Sequence, residues 1–207
     1  MGVGLDLGQV QDFTAMAVVK RLDYDCALET YGHDNPDAFI YELKYLKHWP
    51  LGTRYPQIVT DVREMASRTA LLNRSRWVVD TTGVGTPIAN ELFELNLNPL
   101  PILITAGNRP SWNGRTLCVP KRDLIAALSQ LLEKGLLKFP HDIQLQDELI
   151  AELINFTMRI SRTGQDTYSP LRHSQHDDLV IALALACYYH ERRRRLAPSS
   201  RLRITVF

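Results

Sequence analysis

The N-terminal part of the chain has the hydrophobic patterns of strands. Two apolar segments, VGLDL and FTAMAVVKRL, meet at a turn between Gly8 and Asp12 and predict a pair of strands. YELKYLKHW alternates apolar and polar residues, which is typical of a strand with one solvated face. We therefore expect an antiparallel meander of three strands at the start of the fold.

The remainder of the chain predicts helices that alternate with strands. YPQIVTDVREMASRTALL has a proline in its first turn and apolar residues at helical spacing, namely Ile58, Val59, Val62, Met65 and Ala66. RWVVD and LPILIT predict short strands on either side of a helix in TPIANELFELNL. Three further helices are predicted in KRDLIAALSQLLEKG, QDELIAELINF and HDDLVIALALACYYHERRRR. This order predicts an α/β fold with a mixed β-sheet flanked by helices.

Composition adds a few limits to this picture. The 207 residues, 45% of them hydrophobic, suffice for one core in one domain. Cys26, Cys118 and Cys187 have no CxxC spacing, which argues against a disulfide framework or a cysteine–zinc site. No apolar run reaches the roughly 20 residues of a membrane span, and the N-terminus lacks the order of a signal peptide. We therefore expect a cytoplasmic protein with no membrane partner.

Arginine is concentrated near the C-terminal end, in ERRRRLAPSSRLR, although the net charge is only +1. We divide the chain into a domain of residues 1–190 and a basic tail of residues 191–207. A solvated helix end with a frayed tail and a local attraction for an anionic polymer are both consistent with this run.

Carboxylates stand where predicted elements begin or end. Asp6 lies at the end of the first strand, Asp80 ends RWVVD, and Asp177 and Asp178 open the last helix. If the first and fourth strands are neighbours, Asp6 and Asp80 end side by side, and a helix start can bring a third carboxylate to them. Such a group is repulsive unless divalent cations lie within it, and Mg²⁺ prefers oxygen ligands.

Each carboxylate also has a structural interpretation. Asp6 can bond its own backbone in the turn DLGQ, and Asp80 can cap the turn before the next helix. Asp177 and Asp178 can favour the helix dipole, with Ser174 and Asp177 in capping-box spacing. A metal site is favoured because these positions fall on elements whose ends can meet.

Three segments resemble, in their order and their residues, the nuclease domain of the large terminase subunit of tailed bacteriophages: VGLDLG, WVVDTTGVGTPIANEL and SQHDDLVIALALA. LKHWPLGTRYPQIVTDV also resembles the segment between the first two acidic motifs of that family. The resemblance extends from Gly2 to about Tyr189. It implies a ribonuclease H-like fold, in which the mixed sheet carries helices on both faces.

The resemblance further implies a metal-dependent endonuclease that cuts double-stranded DNA. Two Mg²⁺ or Mn²⁺ ions would be held by Asp6, Asp80, Asp177 and Asp178. One ion would activate a water and the other would stabilise the leaving oxygen, which leaves a 5'-phosphate and a 3'-hydroxyl. Adjacent helix residues point about 100° apart, so Asp177 and Asp178 are not expected to be equivalent.

Other polar residues are further candidates for contact with DNA or with the attacking water. His176 is a candidate for orienting the water or the leaving group, and a helix-capping surface residue is the alternative. Lys121 and Arg122 at a helix start are candidate phosphate contacts, although such a pair can be merely solvated. Arg109 and Arg115 belong to the segment ITAGNRPSWNGRTLCVP, predicted to be a mobile hairpin, which could contact DNA or serve as a plain connection.

The chain departs from a whole packaging protein because it contains no G-x-x-x-x-G-K-[S/T] motif. We expect the nuclease half alone. The partners implied are double-stranded DNA, the terminase ATPase domain, the small terminase subunit and the portal protein, in the cytoplasm of an infected or lysogenic bacterium. Docking on the portal is favoured for the tail, because it leaves the last helix roughly 20 Å from the carboxylates.

Three alternative functions remain open at this point. A Holliday-junction resolvase of the RuvC type would share the fold and the acidic residues. An actin-like or sugar-kinase ATPase also begins with a DLG strand turn, and DTTGVG could be mistaken for its second phosphate loop. A non-catalytic module that binds DNA or the portal is the third alternative.

Overall fold

The structure, a computed structural model, describes residues 1–8, 12–22, 24–32, 39–68, 75–83, 85–163 and 176–196. The strands in these residues are β1 (Gly2–Asp6), β2 (Thr14–Arg21), β3 (Tyr41–Trp49), β4 (Arg76–Asp80), β5 (Leu100–Thr105), β6 (Ser111–Asn113), β7 (Thr116–Pro120) and β8 (Leu137–Lys138). The helices are α1 (Tyr24–Tyr31), α2 (Tyr55–Ser67), α3 (Gly85–Glu94), α4 (Lys121–Glu133), α5 (Gln146–Thr163) and α6 (Asp178–Leu196).

All eight strands belong to one mixed sheet, in the order β6-β7-β5-β4-β1-β2-β3-β8. β1 pairs antiparallel with β2, which in turn pairs antiparallel with β3, so the predicted meander is confirmed. On its other side β1 pairs parallel with β4, with Leu5 opposite Val79. Because parallel strands end at the same edge of a sheet, this register brings Asp6 and Asp80 together as predicted.

Helices cover both faces of the sheet, which confirms the predicted fold class. α2 and α3 pack on one face, and α2 buries the five residues predicted from its periodicity. The other face carries α4, α5 and α6. α6 is buried from Leu179 through Cys187, as is typical of a helix that is apolar all round.

The contact between α6 and β1 requires glycine. A Cβ atom at Gly4 would overlap the carbonyl oxygen of Ala182 and lie 2.7 Å from the backbone nitrogen of Ala186. At Gly2 a Cβ would lie 2.6 Å from the carbonyl oxygen of Ala186. The glycines in β1 and the alanines in α6 therefore let the two backbones approach, and this close approach positions the first turn of α6 over the end of β1.

Two parts of the fold differ from the sequence-based expectation. The segment expected to be a mobile hairpin does form an antiparallel pair, β6 and β7, but β7 also pairs parallel with β5 and buries Leu117 and Val119. The short elements α1 and β8 were not predicted. Their apolar patterns are too short to show a period, and β8 gains its strand conformation only by pairing with β3.

α6 continues to Leu196, so the first residues of the predicted basic tail form the end of this helix. Residues 197–207 lie outside the described part of the chain, and the division into domain and tail stays a prediction. Among the helices described, none is both long enough and apolar enough to cross a membrane.

Candidate acidic metal site

The acidic site lies where the ends of β1 and β4 meet the start of α6. Asp80 and Asp178 are buried, with 8% and 5% of their surface exposed. Burial raises the pKa of Asp6 well above its usual value, and the charges of Asp80, Asp178 and Asp177 raise it further, in that order. The predicted carboxylates therefore repel one another within a single site.

Asp80 is held by the loop that follows its strand. The backbone N–H and the hydroxyl of Thr82 both donate to Oδ1 of Asp80, at 2.8 and 2.6 Å. The Thr82 hydroxyl oxygen also accepts from the backbone N–H of Ile104, at 3.2 Å, which links the loop to β5. Burial raises the pKa of Asp80, and the bonds from Thr82 oppose this. Asp80 thus makes the local turn contact of the structural interpretation and faces the acidic site as well.

Asp177 and Asp178 differ in their contacts. Asp177 forms an ion pair with Lys121, at 2.8 Å between Oδ2 and Nζ. The Oδ2 atom of Asp178 is buried without a hydrogen-bond partner, and Nδ1 of His176 lies 3.5 Å from it. Burial raises the pKa of Asp178 to about 7, with further contributions from Asp177 and Asp12. The two carboxylates are therefore not equivalent, and Asp178 is the one left available for a ligand.

Lys121 lies beside the carboxylates, as the first residue of α4. Besides its ion pair with Asp177, its Nζ lies 5.7 Å from the centre of the Phe156 ring. Its charge lowers the pKa of both Asp6 and Asp80. Lys121 is therefore part of the acidic site, whereas its predicted contact with phosphate stays a prediction.

His176 is exposed at the rim of the site. Its ring contacts Phe13 edge-on, with 4.6 Å between ring centres, and Phe13 stacks on His48 at 5.0 Å. Burial lowers the pKa of His48, and the neighbouring His176 lowers it further. The aromatic contact fixes His176 next to Asp178, which is compatible with the predicted role in orienting a water.

The arginines predicted to bind DNA lie on or beside the β6–β7 hairpin. Arg122 donates from Nη2 to the carbonyl oxygen of Asn108 at 2.7 Å and so ties the start of α4 to the loop before β6. Arg109 and Arg115 are exposed. Contact of these three residues with DNA stays a prediction.

Glu152 on α5 is a site residue that the sequence analysis missed. Its Oε2 accepts a hydrogen bond from the backbone N–H of Val180 in α6, at 3.1 Å. Burial raises the pKa of Glu152 to about 8, and Asp178 and Asp177 also raise it. A signal was present, because Leu149, Glu152 and Phe156 follow the helical spacing i, i+3, i+7, which places an acid on the buried face of α5.

A groove of about 420 Å³ lies beside the site, between the β1–β2 turn and the start of α2. Gly8, Asp12, Arg54 and Tyr55 contribute to its walls, and the Tyr55 hydroxyl donates to the carbonyl oxygen of Gly8 at 3.0 Å. The charge of Asp12 contributes to the raised pKa of Asp178, so the groove begins within electrostatic reach of the acidic site.

In the conformation described, no three His, Cys, Asp or Glu side chains of the described residues form a group that could hold one metal ion. The donor set nevertheless fits a hard divalent cation, because it consists of carboxylate oxygens, one of them buried without a partner.

The raised pKa values predict how metal-free stability depends on pH. A carboxyl group whose pKa is higher in the folded state than in the unfolded state stabilises the fold fully at pH values below its unfolded-state pKa. This contribution to stability is lost as the pH rises through its folded-state pKa. For Asp178 this loss extends from about pH 3.8, its usual pKa, to about pH 7, its pKa in the folded protein. In EDTA we expect the melting temperature to fall between pH 5 and pH 8, and to fall less for Asp178→Asn. A wild-type melting temperature that is level or rises over this range contradicts the prediction.

Comparison with known proteins gives relatives in sequence and in structure, although no protein-family profile matches the chain. The large terminase subunits of Thermus phage G20c and of Thermus virus P23-45 are each 32% identical to it over 114 residues, which is 55% of this chain. The same match is 20% of each relative, so the chain corresponds to a small part of their length.

Solved structures of the human cytomegalovirus terminase nuclease domain share the fold. A manganese-soaked, inhibitor-bound form has a TM-score of 0.54 at 14% identity, over 94% of this chain and 84% of that one. A manganese-soaked form without inhibitor has the same TM-score over 93% of this chain and 84% of that one, also at 14% identity. The resemblance deduced from the sequence is confirmed: this chain is similar in sequence to large terminase subunits over 55% of its length and shares the ribonuclease H-like fold of a terminase nuclease domain.

Proposed function

We propose that this chain is the nuclease part of a DNA-packaging terminase and cuts double-stranded DNA with the help of divalent metal. The observation that carries the proposal is the buried Oδ2 atom of Asp178, which has no hydrogen-bond partner and belongs to a group of mutually repelling carboxylates. The large terminase subunits that are its relatives and the manganese-soaked nuclease domains that share its fold support the same activity.

The carboxylates of Asp6, Asp80 and Asp178 would hold the metal. A buried carboxylate oxygen without a partner is costly, and a divalent cation removes this cost together with the repulsion between neighbours. Two bound Mg²⁺ or Mn²⁺ ions would supply an activated water and stabilisation of the leaving oxygen. Asp177 would contribute indirectly, because its carboxylate is occupied by Lys121.

The remaining residues of the site would orient its carboxylates and offset their negative charge. Thr82 restrains the Asp80 carboxylate through two hydrogen bonds. The ammonium group of Lys121 places a positive charge beside the acids, where it would offset their repulsion of a DNA phosphate. His176 is exposed next to Asp178 and would orient the water or the leaving oxygen. No side chain is required as a nucleophile.

Within a packaging complex, this chain would work with the ATPase part of the large subunit, the small subunit and the portal. This part of the proposal follows from the relatives, of which the match spans only 20%. Location in the cytoplasm of the bacterial host belongs to the same proposal.

The test is a cleavage assay with plasmid DNA and a linear duplex. We expect nicking or cutting in Mg²⁺ or Mn²⁺ with little sequence preference, and complete loss of activity in EDTA, because the carboxylates alone cannot activate water. A four-way junction with the same arm sequences is the control for substrate class. Activity that persists in EDTA would sink the metal mechanism, and a strong preference for the junction would favour a resolvase.

A further inference from the structure

The first turn of α6 is capped in an unusual way. The first backbone N–H groups of a helix have no partner within the helix, and an aspartate immediately before the helix commonly accepts from one of them. Asp177 occupies that position, and its backbone carbonyl accepts from Ile181 at 2.9 Å. Its carboxylate, however, forms the ion pair with Lys121. The backbone N–H of Val180 donates instead to Oε2 of Glu152, which belongs to a different helix.

We propose that Glu152 is a positioning residue: by capping α6 from α5, it leaves Asp177 to Lys121 and fixes the turn that aims Asp178 at the acidic site. The capped N–H group belongs to Val180, two residues after Asp178. The orientation of Asp178 therefore depends on the hydrogen bond between Glu152 and Val180, which holds the same turn of α6 from a different helix. This inference rests on the proposed function only where metal binding is the readout.

The location of Glu152 is hard to explain by packing alone. Its helix neighbours Leu149 and Phe156 are buried, so an apolar residue would suit the same face. An acid there is desolvated and is repelled by Asp178 and Asp177. Hydrogen bonds from the backbone N–H groups of Val180 and Leu179 oppose these effects and favour the charged form. The positive end of the α6 dipole acts in the same direction. The unfavourable burial and repulsion of Glu152 are therefore offset by the start of α6, which is the element that Glu152 caps.

Two other roles for Glu152 make different predictions. A metal ligand needs the carboxylate charge, whereas a cap needs only an oxygen at the right place. A side chain that merely fills space needs neither. Glu152→Gln keeps the acceptor and removes the charge, and Glu152→Met keeps the volume and removes the acceptor. The two variants therefore separate the three roles.

The first measurement is amide hydrogen exchange of the full chain in EDTA, which does not depend on metal. We expect Glu152→Met to exchange at Leu179 and Val180 about tenfold faster than wild type, which corresponds to loss of roughly 1.4 kcal/mol of local protection. Glu152→Gln should remain close to wild type. Glu148→Gln and Glu148→Met, at an exposed position one turn earlier on α5, are the matched controls and should change nothing at these amides. Equal exchange in wild type and Glu152→Met would overturn the proposal.

The second measurement is Mn²⁺ binding by titration calorimetry. The loss of a residue that orients a ligand typically weakens metal binding 10- to 100-fold. We expect a loss of this size for Glu152→Met and a change of less than about threefold for Glu152→Gln. If Glu152→Gln binds as poorly as Glu152→Met, Glu152 is a ligand and not a cap. If wild type binds no Mn²⁺, the proposed function fails, while the exchange experiment still decides the capping role.

A third variant covers the case in which Glu152→Met does not fold. Glu152→Asp keeps the charge and shortens the reach of the carboxylate. The capping role predicts that Glu152→Asp loses protection at Leu179 and Val180 while Glu152→Gln retains it. The reverse order would show that charge matters more than the hydrogen bond, and would refute the proposal.

Discussion

Replacing Asp80 with asparagine is expected to reduce DNA cutting by about 10²- to 10³-fold, with no loss of folded structure. Asparagine has nearly the shape of aspartate, and its carbonyl oxygen can still accept both hydrogen bonds from Thr82. The charge needed to hold a divalent cation is lost. In EDTA the variant should melt at a higher temperature than wild type, because Asp80 is the charge that contributes most to the raised pKa of Asp6.

This result is measured by cleavage of plasmid DNA in Mn²⁺ and by thermal unfolding with and without EDTA. Asp142→Asn, at an exposed position in a turn, is the matched control and should leave both measurements unchanged. Mn²⁺ should raise the melting temperature of wild type and have little effect on Asp80→Asn. Should Asp80→Asn unfold while metal leaves wild type unchanged, Asp80 would be only a structural cap for its loop.

Replacing Gly4 with alanine is expected to destabilise the protein by about 3 kcal/mol. The added methyl group would overlap the carbonyl oxygen of Ala182 and approach the Ala186 nitrogen, both of which are backbone atoms of α6. Backbone inside a helix cannot move aside as a flexible side chain can. α6 must therefore shift away from β1, and because Asp178 opens this helix, we expect Mn²⁺ affinity to fall as well.

Thermal unfolding measures the effect, and a loss of about 3 kcal/mol in a protein of this size corresponds to roughly 6 to 12 °C. Gly107→Ala is the control, because a Cβ there meets only the Thr105 hydroxyl oxygen at 3.4 Å. That substitution should change stability by less than about 0.5 kcal/mol. A loss below about 1 kcal/mol for Gly4→Ala would show that the contact between β1 and α6 is looser than described.

The ion pair between Lys121 and Asp177 is partly exposed, so its direct contribution to stability is expected to be small. Its importance is in the charge balance of the acidic site. Lys121 lowers the pKa of Asp6 and Asp80 and thereby favours their charged forms, which the proposed metal binding requires. The same residue engages Asp177, which leaves Asp178 as the carboxylate available for a ligand.

The sequence by itself determined the main elements and the location of the acidic site. The periodicity of apolar residues was sufficient to predict α2, because the five apolar residues at helical spacing are the ones that are buried in the fold. It was sufficient for β1 and β4 as well, since both are short apolar strands that end in aspartate. Once two such strands are parallel neighbours, their ends meet, so bringing Asp6 close to Asp80 required only that β1 and β4 lie side by side in the sheet.

Tertiary structure alone decided which contacts each carboxylate makes. Lys121 and Asp177 are 56 residues apart in the chain, and Glu152 and Val180 are 28 apart. No local pattern specifies such contacts, because they depend on the angles at which α4 and α5 pack against α6. The strand conformation of β7 was equally non-local, since it depends on hydrogen bonds to β5. Local sequence thus placed the acids at one edge of the sheet, whereas packing between distant helices determined that Asp178 has a buried oxygen without a partner.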